Sequence, residues 1–130
     1  METLKRPSKC DINTVVFELL NGVTKVHLNH LLTTSYAAHK AMNEFYDSVG
    51  DLADDIAEQY QGVTEQLLSF PTSMNFPTMR TPQDCIAYLR QLYSQVDSCH
   101  GQCQYSEIQN ILDEVKSLIN STKYKLIFLK

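Results

Sequence analysis

The sequence predicts an all-α protein, a single domain built as a four-helix bundle from two helical hairpins. Apolar residues recur at steps of three and four in four separate stretches, and no alternating strand pattern competes with them. Short polar connections join the stretches in pairs. Between the pairs lies a longer segment, VTEQLLSFPTSMNFPTMRTP, in which Pro71, Pro77 and Pro82 bar a long helix. A chain of 130 residues can bury a core, and 43% hydrophobic with 20% charged residues is ordinary for a globular domain.

The first helix is expected over about 11–32, with Asp11 as its cap. Its stripe passes through Val16, Leu20 and Val23 and continues onto His27 and His30, which turns both histidines toward the interior or an interface. The second helix is expected over about 35–61, opening after Thr33-Thr34-Ser35 and closing at Gly62. It carries two seams. Ala38, Met42, Phe45, Val49, Leu52 and Ile56 form a core stripe, and a quarter-turn away His39, Tyr46, Gly50, Ala53 and Ala57 form a line that lets another helix approach closely. Gly50 is disfavoured inside a helix by about 1 kcal/mol relative to alanine, so a purely solvated face would have no use for it.

The connection spans about 62–81, and its first eight residues suit a short helix. The third helix, about 82–101, starts at Thr81 with Pro82 in its first turn and turns Cys85, Leu89, Leu92 and Val96 inward. The fourth, about 106–128, opens on a capping pattern of Ser106 with Gln109 and runs its stripe through Ile108, Ile111, Leu112, Val115, Leu118 and Ile119. Its apolar end, KYKLIFLK, is expected to dock on the bundle or on another subunit.

Four metal-ligating side chains stand at fixed intervals: His27, His39 twelve residues later, Asp54 fifteen after that, and Glu58 one helical turn on. On a continuous helix His39 and Asp54 lie about 22 Å apart, at ~1.5 Å per residue. One chain therefore cannot place both on one ion, but two copies of the helix crossing antiparallel about a two-fold axis can. The spacing points to a metal site shared across a homodimer, with Gly50 near the crossing. Imidazole and carboxylate suit Fe(II), Mn(II) or Zn(II), and carboxylates also stabilise Fe(III). Asp47 and Asp51 extend the acidic face; the bland reading of such a face is a solvated helix side.

The same residues, with the local strings HLN and DDIAE, resemble the ferroxidase signature of the Dps-type miniferritins (DNA protection during starvation), firmest over residues 27–62. The resemblance implies a ferritin-like bundle with a long crossover between its second and third helices. It further implies that two histidines of one subunit and an Asp and a Glu of its two-fold mate bind iron, with Glu58 the bridge between two irons. Dioxygen or hydrogen peroxide would be the oxidant, and the ferric product would be stored in a shell of twelve subunits. Zinc or manganese would be substitute ions. The chain departs from the family at Asn43, where an acid is common, at Leu28, where a tryptophan often follows the first histidine, and in the turn LLTTS. Asp47 either replaces the missing acid or is merely solvated; His30 fits a satisfied core histidine better than a group supporting the ligands from behind; Tyr36 and Tyr46 either take up stray oxidising equivalents or pack.

Other classes find little to stand on. There is no glycine-rich phosphate loop and no G-x-S-x-G. Cys99, His100 and Cys103 lack an evident fourth zinc ligand, and Cys10, Cys85, Cys99 and Cys103 are expected as thiols. A net charge of −4 does not favour DNA binding, although Lys5, Arg6 and Lys9 lie near one end and Lys123, Lys125 and Lys130 near the other. No stretch is apolar enough for a membrane span or a signal peptide, so a cytoplasmic location is expected, that of the host if the chain is phage-encoded. Two readings stand. One is a miniferritin-like ferroxidase; the other is a ferritin-like bundle that binds or builds without oxidising iron, since the segment is also similar to small uncharacterised proteins of large tailed phages.

Overall fold

The computed structural model describes residues 10–130 and contains four helices and, among those residues, no strand: α1 (Ile12–Leu32), α2 (Tyr36–Thr64), α3 (Pro82–Gln102) and α4 (Ser106–Phe128). The ends are set by local chemistry. The Asp11 carboxylate accepts from the Asn13 N–H at 3.1 Å, Ser35 Oγ accepts from the Ala38 N–H at 3.2 Å, and Thr81 and Asp84 cap each other reciprocally. Two expected helix boundaries differ. α2 runs through Gly62 and ends at Glu65, which takes the left-handed cap conformation at φ 57°, so the expected short helix beyond it does not form. The Ser106–Gln109 box is also absent: Tyr105 is the cap residue, and the Gln109 amide donates instead to the Cys103 carbonyl at 2.8 Å.

The helices pack as a ring of four neighbours, α1 on α2 and α3, and α4 on α2 and α3. Hydrophobic burial is the driving term. The core is filled by Leu19, Val26, Met42, Phe45, Val49, Ile56, Leu89, Leu92, Val96, Ile108, Leu112, Val115 and Ile119, all nearly or wholly inaccessible. On α1 the inward leucine is Leu19, not Leu20, which is 37% exposed; two adjacent leucines satisfy either rotation of the stripe, and packing against two neighbours chooses. Leu126 docks into the core at the end of α4, whereas Tyr124, Phe128 and Leu129 stay exposed.

Pairings along the bundle fix its ends. Lys125 in the last turn of α4 binds Glu44 near the start of α2 at 2.6 Å, and Tyr60 near the end of α2 lies edge-on to Tyr105 just before α4. Segment 65–81 begins beside the start of α1, where the Ser69 N–H donates to Asn13 Oδ1 at 2.7 Å and Phe70 stacks on Phe17. It finishes beside the end of α1, where Phe76–Arg80 and Lys25, Leu28, Leu31 and Leu32 line an apolar cavity of about 330 Å³.

Two helical glycines make opposite demands. A Cβ on Gly22 would lie 2.5 Å from the Tyr88 hydroxyl, which donates to Glu18 at 3.0 Å in a part-buried network with Lys25. Gly22→Ala is therefore expected to destabilise by about 1–3 kcal/mol. A Cβ on Gly50 would stand 3.5 Å from the Val23 side chain, an ordinary contact, so Gly50→Ala is expected to stabilise by up to about 1 kcal/mol through helix propensity. Denaturant midpoints of the two variants check both signs.

Candidate functional site

The end of α1 and the start of α2 bring an imidazole cluster together. The last four carbonyls of a helix have no intrahelical partner. That of His30 is met by His39 Nδ1 at 3.0 Å. A carbonyl only accepts, so Nδ1 of His39 carries the hydrogen, and in a neutral ring the lone pair is then on Nε2. This is the arrangement in which a histidine is oriented for a metal, its second nitrogen anchored on a backbone carbonyl. It is equally a helix cap.

The rings stack rather than converge. His30 lies 3.7 Å from His39 and His27 lies 4.3 Å from Tyr46, both nearly parallel, while His27 and His30 meet edge-on at 5.6 Å. His30 is buried with no partner for Nδ1, whereas His27 is exposed and His39 half-buried. Of the two α1 histidines expected at the interior or an interface, His30 lies in the interior and His27 on the exposed surface of the single chain.

Burial, and then the neighbouring His39 and His27, hold the His30 proton affinity below its ordinary value of 6.5. The unfolded chain thus binds more protons than the folded one just below pH 6.5, and stability falls as the pH drops through that range. The melting midpoint is expected to be lower at about pH 5.5 than at pH 7.5, and His30→Gln to flatten that slope. Equal slopes in the two proteins would contradict this.

Asn43 occupies the position where an acid was expected by resemblance. It accepts a hydrogen bond from the Tyr46 hydroxyl at 2.7 Å and donates to Asp47 at 3.0 Å. Burial and the Asp47 charge push the Tyr46 hydroxyl upward, which keeps it a donor at neutral pH. Asp47 is thus bound to Asn43 and exposed on its outer side.

Asp54 and Glu58 are exposed one turn apart, further along α2. The structure brings His27 and His39 to one end and leaves the two carboxylates at a distance. No group of three or more His, Cys, Asp or Glu among the described residues is arranged to hold a metal ion. The small-residue seam has a neighbour already: Gly50 faces Val23, Ala53 is buried in the core, and Ala57 packs against it. The close approach read as a contact between copies is used, at Gly50, by α1 of the same chain.

The cysteines correct a further expectation. Cys10 and Cys99 form a disulfide, because the start of α1 lies beside the end of α3, a proximity invisible across 89 residues. Cys85 and Cys103 are free. His100 faces Asp113 at 3.1 Å and the Cys103 thiol donates to the Tyr105 carbonyl, so neither joins Cys99 in a zinc set. Lys5, Arg6 and Lys9 lie outside the described residues. No helix among the described residues is long and apolar enough to cross a membrane.

A family model described as a family of unknown function, DUF5856, matches residues 30–126. The chain belongs to that family. The part shared with DUF5856 begins at His30 and includes His39, Asn43, Asp47, Asp54 and Glu58, while His27 lies just before it. This DUF5856 member is also 28% identical over 123 residues to an uncharacterised 14.6 kDa protein of the mobD-ri intergenic region of Enterobacteria phage T4, a match covering 93% of this chain and 90% of that protein. No solved structure matches it.

Proposed function

We propose that this chain is a ferritin-like bundle that binds ferrous iron between two copies and oxidises it, as a miniferritin does. The observation that carries the reading is the His39 Nδ1–H anchored on the His30 carbonyl, which leaves Nε2 as the ring nitrogen that could bind a metal. The contacts of segment 65–81 with both ends of α1 support the ferritin-like crossover, since they suit a segment that travels the length of the bundle.

In this reading His27 and His39 of one copy face Asp54 and Glu58 of the other. Two ferrous ions would each give one electron to hydrogen peroxide, which with two protons leaves as two waters; dioxygen is the other oxidant. The carboxylates hold the ferric product. An antiparallel contact also brings Asp47 and Asp51 of two copies together, a repulsion that bound cations relieve. Pairs, and by resemblance twelve-membered shells, are therefore the assembly proposed, with zinc or manganese as competing ions and the cytoplasm, the host's for a phage protein, as its place.

The test is anaerobic ferrous-iron titration followed by peroxide, with sedimentation before and after. Saturable binding with faster oxidation than in protein-free buffer supports the reading. Protein that neither binds iron nor accelerates its oxidation leaves the second reading, a binding or structural bundle. Two observations favour that one: Asn43 in place of an acid, engaged with Tyr46 and Asp47, and a relative encoded by a phage.

A further inference from the structure

The start of α1 and the last turn of α3 are joined covalently. Cys10 stands immediately before the Asp11 cap and is bonded to Cys99. The two sulfurs are unequally sheltered, for Cys99 is buried and Cys10 only partly so. A cavity of about 290 Å³ opens against both, lined further by Asp11, Thr14, Gln95 and Ser98. Exchange of a disulfide requires a thiolate to reach one of its sulfurs, and this cavity has the size of a small ligand site. Of the free thiols, Cys85 is buried and pushed up to about 12 by that burial, which makes it inert. Cys103 lies one helical turn beyond Cys99.

We propose that the Cys10–Cys99 bridge is an exchange site for low-molecular-weight thiols, a clasp that opens under reducing conditions and uncouples the beginning of α1 from α3. A thiolate such as that of glutathione attacks Cys10 Sγ. The bond to Cys99 breaks, its electron pair leaves on Cys99 Sγ, and that sulfur takes up a proton. A second glutathione thiolate attacks the glutathione sulfur of the mixed disulfide, which releases Cys10 as a thiolate and yields glutathione disulfide. Two glutathiones are oxidised and one protein disulfide is reduced. Glutathione disulfide closes the clasp by the reverse steps.

Alkylation, proteolysis and mass mapping of the whole chain under non-reducing conditions test this. Cys99 and Cys103 fall on one tryptic peptide, so a Cys103→Ser variant resolves them. The cross-link to the Cys10 peptide is expected in the wild type and in Cys103→Ser, and absent in Cys10→Ser. Millimolar reduced glutathione should open it in the native protein and lower the melting midpoint by roughly 10 °C, with no shift in Cys10→Ser. Cys10 alkylated before any thiol is added would overturn the proposal. So would a cross-link to Cys103, or a bridge that glutathione reduces only in denaturant.

Discussion

Replacing Phe45 by alanine is expected to lower the stability of the fold by about 3–5 kcal/mol. Phe45 is the largest wholly buried side chain, at 0% exposure, and it sits on the α2 face that meets the other helices. Removing its ring leaves a cavity that rigid helices cannot close, so lost transfer energy and lost contacts add. Phe128 makes the control. It has a similar ring but is 69% exposed, and Phe128→Ala is expected to stay within about 0.5 kcal/mol of the wild type. Urea unfolding with an unchanged slope reads both effects as stability. A Phe45→Ala loss below 1 kcal/mol would mean that the core is not centred on α2.

His39→Ala is expected to abolish saturable ferrous-iron binding. The loss should exceed the roughly 10–100-fold that follows when only an outer-shell partner of a metal ligand is removed. The same change also leaves the His30 carbonyl without its donor, which costs about 0.5–1.5 kcal/mol. His39→Gln separates the two roles. A glutamine amide can still donate to that carbonyl, so stability should largely recover while iron binding does not. Isothermal titration with ferrous iron under argon, alongside urea unfolding, gives both numbers. If glutamine restores iron binding together with stability, His39 acts only as a cap.

The four helices were legible because their signals are local. Period, the Asp11, Ser35 and Thr81 caps and the prolines of segment 65–81 all act within a turn or two of sequence. What failed depended on distant neighbours. The Gly50 seam was read as a contact between two copies, and within one chain Val23 of α1 already lies against Gly50, a neighbour that sequence spacing does not show. Cys10 looked isolated because its partner lies 89 residues away. The Ser106–Gln109 pattern matched a capping box, yet Gln109 found carbonyls at the end of α3 instead. At the candidate site, His27 falls near the end of α1 and His39 near the start of α2, as the helix bounds read from sequence imply. That His30 would slot between them, and that Asn43 would link Tyr46 to Asp47, required the packed hairpin.

The shared geometry is tested most directly by mixing two inactive variants. If His39 of one copy works with Glu58 of the other, His39→Ala and Glu58→Ala homodimers should each lose rapid ferrous-iron oxidation. In their heterodimer both defects fall on one of the two sites, and the other keeps every ligand. Purified heterodimers are expected to recover about half of the wild-type rate, by the symmetry of a two-fold pair. A heterodimer as inactive as its parents would contradict a site shared between copies.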